Sequence, residues 1–336
     1  MSQIALTVGG VSIYWNAVVI CLGIAGCFCM TWALFTANGG QGTALLLLLP
    51  LAMLFSVLLA RLLHWDCHIE QYPSLLSAIT DYSTGGFCMP GVLLGTALAV
   101  LCVRLLGFTG NAGRLYDCLA PGAALGIALI RLSNLFTAAD RAKIVITTPL
   151  LQHLPIGAPV ATASGTEYRF ATFFWQFLLM LLMSVLLLRF FFKRRRAPMK
   201  AEQPRDGNVA LLFLSWYSAL ELVADSTRYD GSFLRLNGFV SLGQIVAAFS
   251  LLGVLIVYTV RSRRAGNSVP FAVIHWVLFW LSIGVVGAFE YLVQRFGGMY
   301  LICYTVMSLA CAAAAYINLR MYRSVRKTPA PRRARR

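Results

Sequence analysis

Acidic residues are scarce in this sequence: its 336 residues include 12 Asp and Glu against 28 Lys and Arg. Charged residues of both signs make up only 12% of the chain, while hydrophobic residues make up 59%. The mean hydropathy is +0.75. This composition excludes an ordinary soluble globular domain and is typical of a polytopic membrane protein.

Several familiar motifs are also absent. The sequence has no G-x-G-x-x-G, P-loop, G-x-S-x-G or H-E-x-x-H motif and no internal repeat. Nothing in it therefore indicates a nucleotide site, a serine hydrolase or an inverted-repeat transporter. No basic segment precedes the first apolar run, which is long enough to span a bilayer, so we expect no cleavable signal peptide.

Long apolar runs dominate the chain. Nine of them approach the roughly 20 residues that a membrane-spanning helix needs. The predicted fold is therefore all-α, a polytopic integral membrane protein with about nine transmembrane helices. The predicted spans are 11–36, 43–64, 88–107, 115–136, 169–192, 208–226, 237–260, 269–292 and 300–320.

The positive charge is concentrated between the spans. Of the 28 Lys and Arg residues, 20 fall in or beside four segments, 104–114, 189–205, 261–264 and 320–336. With nine spans these segments share one face, which the positive-inside rule makes cytoplasmic. The N-terminus is then outside and the C-terminus cytoplasmic. We expect the basic tail to contact anionic lipid rather than nucleic acid.

Cysteine and histidine do not form a recognisable metal motif. Seven of the nine cysteines lie within apolar spans, where a thiol behaves as a small hydrophobic group, and no disulfide framework is implied. The segment HWDCHIE at 64–70 groups possible metal ligands, but it lacks the spacing of known sites. We expect neither a metal ion nor a cofactor.

Charged residues within the spans or at their outer ends are few. They are Arg61, Arg131, Arg169, Glu221, Asp225, Arg228 and Glu290. A guanidinium group in hydrocarbon is unfavourable by several kcal/mol unless it is paired, hydrated or near the headgroups. Arg131 and the nearby Asn134 end the fourth span, so their predicted place is the outer membrane surface.

Four spans bring charge to this outer depth. Glu221 and Asp225 are four residues apart and share a helix face, which Arg228 continues. Guanidinium groups match the oxygens of a phosphate, so the pattern predicts a polar site at the lipid headgroups. The alternative is that these charges only pair with one another between helices. Glu290 stands apart, and a local pair or an interfacial position is expected for it. The Pro- and Gly-containing segment 137–168 is predicted to form a shaped excursion that covers the site.

Four blocks of sequence resemble the prolipoprotein diacylglyceryl transferases, bacterial membrane enzymes. The blocks are LLARLLHWD at 58–66, GGFCMPGVLLG at 85–95, DCLAPGAALGIALIRLSNLF at 117–136, and RFATFFWQ at 169–176 with ALELVADSTRYD and VSLGQIVA at 219–247. The resemblance implies transfer of a diacylglyceryl group from phosphatidylglycerol to the lipobox cysteine thiol of a prolipoprotein, with release of glycerol phosphate. The implied partners are phosphatidylglycerol, prolipoprotein signal peptides and membrane lipids, and the implied location is the bacterial plasma (inner) membrane.

The resemblance also implies roles for individual residues. The headgroup-binding residues expected from it are Arg131, Asn134, Arg169, Arg228 and Arg61. The residues expected to act in catalysis are Arg131, Asn134, Asp225 and Glu221. The first two fall on the Arg and Asn of the family signature, and Asp225 replaces a family glutamate.

The chain departs from the family pattern at several of these positions. Pro90 stands where the family has a histidine, and Glu221 occupies an arginine position. Gln176 and Ala139 each replace a family glutamate. The other departures are Trp15, Val92, Ile130, Ser133 and Phe170. Because a thiol is mostly protonated at neutral pH, a base must replace the histidine. Its candidates are Glu221, Asp225, His64, His68 and His153.

Three functional hypotheses follow. The first is a divergent, active transferase, and the second is an inactive descendant that binds lipid or lipoprotein signal segments. The third, an unrelated transporter or channel, is disfavoured because the polar groups occupy one membrane depth. The expected organisation is a transferase-like domain of seven helices at 1–262, two additional helices at 263–320 and a basic tail at 321–336.

Overall fold

The computed structural model describes residues 3–72, 74–80, 86–163, 165–195, 206–229 and 239–327. Within these ranges the chain forms ten α-helices. They are α1 (Trp15–Ala37), α2 (Gly42–Cys67), α3 (Leu75–Thr80), α4 (Met89–Leu105), α5 (Ala112–Ser133), α6 (Thr172–Arg195), α7 (Asn208–Thr227), α8 (Leu242–Arg264), α9 (Val269–Phe296) and α10 (Tyr300–Lys327). All except α3 and α4 are long and apolar enough to cross a membrane. The chain is therefore a multi-pass helical membrane protein, as predicted.

The third predicted span, 88–107, corresponds to the shorter helix α4. Its 17 residues extend about 25 Å at 1.5 Å per residue, slightly less than the hydrocarbon core of a bilayer. Pro90 lies in its first turn, where the missing N–H group of proline has no helical partner to lose. Proline at this position therefore has a structural role as a helix start.

Two antiparallel hairpins lie outside the helices. Strand β1 (Ile4–Val8) pairs with β2 (Val11–Tyr14), and β3 (Gly157–Thr162) pairs with β4 (Gly165–Phe170). The predicted spans that begin at residues 11 and 169 therefore begin too early, because their first residues are in strands. The excursion predicted at 137–168 contains most of the β3–β4 hairpin, and Gly165 begins β4 at a φ of 132°.

Small residues let α2 and α4 pack at close range. A Cβ atom on Gly91 would come within 2.4 Å of the Ala60 backbone, and one on Gly95 within 2.4 Å of the Ser56 backbone. Membrane helices often associate through such small residues one turn apart. In lipid no hydrophobic effect drives helices together, so close packing of their backbones stabilises the contact. This contact fixes the position of Arg61, the residue that follows Ala60.

Helix α5 packs against α1, α6 and α7 and belongs to the larger hydrophobic core. The buried carboxylate of Asp117 accepts hydrogen bonds at 2.8 to 3.0 Å from the backbone N–H groups of Gly207, Val209 and Ala210 at the start of α7. A carboxylate there satisfies helix N–H groups that have no intrahelical partner. The start of α7 is thereby tied to the first half of α5, and the C-terminal ends of both helices lie at the opposite end of the bundle.

The last two helices are part of the bundle. Helix α10 packs against α7, α8 and α9 around a second hydrophobic core. Its buried Asn318 donates hydrogen bonds to Ser215 Oγ at 3.1 Å and to the Leu251 carbonyl at 3.3 Å. Helix α10 continues into the predicted tail as far as residue 327, and residues 328–336 lie outside the described residues.

Candidate functional site

Arg131 lies in the last turn of α5, and its guanidinium group bridges two carboxylates. Nη1 donates to Asp140 Oδ2 at 2.7 Å, and Nη2 donates to Glu221 Oε1 at 2.7 Å. Only 5% of Arg131 is exposed. Its charge is therefore paired inside the protein.

Asp140 is the acceptor on which the site converges. It receives hydrogen bonds from Arg131, from Asn134 Nδ2 at 2.5 Å and from Arg228, and it is 4% exposed. Its φ of 56° lies in the left-handed region, which aspartate tolerates better than most residues. Sequence reasoning missed Asp140, although it directly follows Ala139, the residue at which the resemblance implies a family glutamate. That adjacency is the one signal in the sequence that could have found it.

The C-terminal end of α7 supplies the remaining charges. Arg228 Nη1 donates to Asp225 Oδ1 at 2.7 Å and lies 3.9 Å from Glu221 Oε1. Asp225 also accepts a hydrogen bond from the Ser241 hydroxyl, which caps α8. We call the group formed by Arg131, Asp140, Glu221, Asp225 and Arg228 the ion-pair network.

The ion-pair network has more acidic than basic groups. Two guanidinium groups face three carboxylates, so the formal charge is −1 when all five are ionised. Buried ion pairs stabilise a fold only when hydrogen bonds satisfy their remaining atoms. Gln176 Nε2 contributes one such bond to Glu221 Oε2 at 3.1 Å, and Asn134 contributes another to Asp140.

A connecting segment holds Asp140 in place. Arg141 Nη1 and Nη2 donate to the carbonyl oxygens of Thr137, Asn134 and Ala139 at 2.7 to 3.0 Å. Its guanidinium carbon lies 4.4 Å from the ring centroid of Phe173. This arginine therefore fixes the turn that carries Asp140.

The same segment contacts α9 through Lys143. Its Nζ donates to Gln294 Oε1 at 2.6 Å, and Gln294 Nε2 donates to Glu290 Oε1 at 2.7 Å. Burial lowers the pKa of the Lys143 ammonium group, while the charges of Glu290 and Asp225 act in the opposite direction. The local hydrogen bond of Glu290 agrees with the local pairing expected for it.

Two of the predicted headgroup residues have other partners. Arg61 donates to the carbonyl oxygens of Ala78 at 2.7 Å and Gly86 at 2.9 Å. Arg169 pairs with Glu167 at 3.0 Å, and its guanidinium carbon lies 4.6 Å from the Tyr229 ring centroid. Five of the predicted site residues therefore come together with Asp140: four belong to the ion-pair network, and Asn134 donates a hydrogen bond to Asp140. Arg61 and Arg169 instead stabilise neighbouring segments.

The position where the resemblance implies a histidine is occupied by Pro90, in the first turn of α4. Pro90 itself offers no proton acceptor.

The three histidines proposed as replacement bases make their closest ring contacts with each other or with tyrosine. The rings of His64 and His68 stack 4.2 Å apart, and His153 packs edge-on against Tyr168 at 6.4 Å. All nine cysteines are free thiols. Among the described residues, no three His, Cys, Asp or Glu side chains are grouped so that they could hold a metal ion.

The fold and site define a class: multi-pass helical membrane proteins with a buried polar network at one end of the bundle. Within this class, the family model for prolipoprotein diacylglyceryl transferase matches residues 3–260, and the chain belongs to that family. This confirms the resemblance, and it makes a transferase acting on prolipoproteins the family-level assignment.

Two relatives illustrate the similarity. The phosphatidylglycerol–prolipoprotein diacylglyceryl transferase of Shouchella clausii (strain KSM-K16) is 27% identical over 261 residues, which cover 75% of this chain and 89% of the relative. The protein of the same name from Clostridium kluyveri is 26% identical over 148 residues, which cover 43% of this chain and 56% of the relative. The match to the family model ends before α9 begins.

Proposed function

We propose that this protein transfers a diacylglyceryl group from phosphatidylglycerol to the lipobox cysteine thiol of a prolipoprotein. The observation that carries the proposal is the convergence of Arg131 and Arg228, at two family positions on different helices, on one buried carboxylate. Both arginines are always charged, and their planar groups suit the oxygens of a phosphate.

The step itself makes one bond and breaks one. The thiol sulfur attacks the carbon of the diacylglyceryl group that carries the phosphate, forming a C–S bond while the bond between that carbon and its phosphate oxygen breaks. Glycerol phosphate leaves with the bonding electrons, and the two arginines stabilise its developing charge. The thiol proton passes to the network, whose excess carboxylate provides the base that Pro90 cannot.

We place the network at the outer membrane surface. It lies at the C-terminal ends of α5 and α7, whereas basic residues lie in the last turns of α6, α8 and α10, at the other end of the bundle. The positive-inside rule makes that basic end cytoplasmic. A prolipoprotein exported across the plasma membrane would then meet the network from outside.

One observation favours the second candidate, a descendant that binds lipid or a signal segment without transfer. The Nη atoms of Arg131 are both occupied by carboxylates, and so are those of Arg228. A phosphate has to displace at least one of these carboxylates before either arginine can bind it in a bidentate way.

A reconstituted assay separates the two candidates. Purified protein, phosphatidylglycerol vesicles and a lipobox peptide are mixed, and the peptide mass is measured. The transferase proposal predicts a diacylglyceryl mass increase that falls by roughly a hundredfold or more in Arg131→Ala. Arg131→Lys keeps the charge but loses the bidentate geometry, so its mass increase is expected to lie between those of the wild-type protein and Arg131→Ala.

The matched control is Arg104→Ala, which removes an exposed arginine from the C-terminal end of α4 and is expected to leave the rate unchanged. No mass increase in the wild-type protein, under conditions where a relative with the family histidine reacts, would overturn the transferase proposal in favour of binding alone.

A further inference from the structure

A groove of about 340 Å³ lies between α6, α7 and α10, beside the ion-pair network. Its wall is mostly apolar and includes Leu179, Leu220 and Val223. Trp175 and Ala312, which also line it, are exposed, so the groove opens on the side of the bundle. In a membrane that side faces the hydrocarbon of the lipids.

One end of the groove is polar. The Thr172 and Thr227 hydroxyl groups lie 3.0 Å apart there, and Gln176 lines the same end while being only 2% exposed. Nε2 of Gln176 binds Glu221, whereas Oε1 has no hydrogen-bond partner among the described residues. A buried acceptor without a partner is unfavourable, so this oxygen is suited to a donor brought by a ligand.

The third wall of the groove comes from α10, through Ser308, Cys311 and Ala312. These residues lie outside residues 3–260, to which the family model corresponds. The groove is thus completed by a helix that the family match does not include.

We propose that this groove binds one acyl chain of phosphatidylglycerol, with the headgroup beside Gln176. An apolar groove that opens to hydrocarbon suits an acyl chain, and its polar end adjoins the network. The free amide oxygen of Gln176 needs a donor. The headgroup glycerol of phosphatidylglycerol has hydroxyl groups, whereas ester and phosphodiester oxygens and the choline headgroup have no N–H or O–H group. This inference rests on the proposed function, because it names the binding site of its lipid substrate.

The test is photo-crosslinking in vesicles with phosphatidylglycerol that carries a diazirine in one acyl chain, followed by digestion and mass spectrometry. We expect the label on the peptides that contain Leu179 and Cys311. Ala312 and Ala313 are neighbouring exposed alanines of α10, but only Ala312 lines the groove. Ala312→Phe is expected to lose the label at these sites, and Ala313→Phe is expected to keep it. Equal labelling of the two variants, or label found only elsewhere, would overturn the proposal.

A second probe tests the headgroup. Phosphatidylcholine with the same diazirine chain is expected to label the groove less than phosphatidylglycerol, and Gln176→Leu is expected to abolish that difference. Equal labelling by both lipids in the wild-type protein would overturn the placement of the headgroup at Gln176. Groove labelling without peptide transfer would refute the proposed function alone, and transfer without groove labelling would refute the groove alone.

Discussion

Gln176 Nε2 donates a hydrogen bond to Glu221 Oε2 at 3.1 Å, and the resemblance described above implies that both residues depart from the family pattern. The same resemblance implies a family glutamate at the position of Gln176 and a family arginine at the position of Glu221. In this chain Glu221 is acidic, whereas Gln176 is a neutral hydrogen-bond donor. Two carboxylates facing each other in a buried site would repel, so the two departures compensate for one another.

This compensation predicts a favourable coupling between the two positions. Gln176→Glu alone is expected to destabilise the protein, because the new carboxylate faces Glu221. Adding Glu221→Arg to this variant is expected to recover stability, with a coupling of about 0.5–3 kcal/mol. Thermal unfolding of the two single variants and the double variant in detergent measures it. Strictly additive effects would contradict the compensation.

Asp140 is expected to be the most sensitive carboxylate in the structure. Asp140→Asn keeps a residue that tolerates the left-handed backbone but removes the charge shared by Arg131 and Arg228. The expected loss is about 3 kcal/mol of unfolding free energy, since a broken buried pair leaves uncompensated charge. Thermal unfolding and peptide transfer are both measured.

The matched control is Glu167→Gln, the same chemical change in the partly exposed pair with Arg169. Exposed pairs contribute little, so a change below about 1 kcal/mol is expected there. Equal losses in the two variants would mean that burial of Asp140 is unimportant.

Gly243 is expected to be required where it stands, because a Cβ atom there would lie 2.8 Å from Asp225 Oδ2. Gly243→Ala therefore displaces a carboxylate that Ser241 and Arg228 hold, with an expected cost of about 1–3 kcal/mol and a slower transfer. In the same helix, Gly253 has open space around its Cβ position. Gly253→Ala is expected to be neutral or to stabilise by up to about 1 kcal/mol. Unchanged stability and an unchanged transfer rate in Gly243→Ala would show that Asp225 moves freely.

The contact between Lys143 and Gln294 is expected to link the Asp140 segment to α9. Lys143→Met and Gln294→Leu each remove one side of a hydrogen bond that involves a charged donor. Each is expected to lower stability by about 1–3 kcal/mol, and the double variant is expected to lose less than the sum. Thermal unfolding measures the cycle, and full additivity would indicate that the two residues act separately.

Apolar run length predicted the helical bundle well, because an apolar run of about 20 residues in a membrane protein usually forms a spanning helix. The two hairpins were missed for the same reason. Residues 11–14 and 169–170 are continuous with apolar runs, and run length alone does not distinguish a strand that precedes a helix from the helix itself. The division into domains at residue 262 and the orientation of the termini stay predictions.

The site was predictable where helical spacing governs it. Glu221, Asp225 and Arg228 follow one another on a helix face, and they meet in the network. Asp140 was not predictable in this way, since it lies in an irregular turn without periodicity. Spacing predicted that Arg61 and Arg169 lie at the outer ends of their spans, but it could not predict their partners, which are Ala78 and Gly86 for Arg61 and Glu167 and Tyr229 for Arg169.

The wall that α10 contributes to the groove has a consequence for biosynthesis. Because a chain is made from its N-terminus, α5 and α7 leave the ribosome before Ser308, Cys311 and Ala312 have been translated. An unfinished chain that lacks α10 contains every member of the ion-pair network but has no third wall for the groove. Loss of the last helix, by early termination or by proteolysis, would therefore remove the third wall of the groove together with the contacts that α10 makes with α7, α8 and α9.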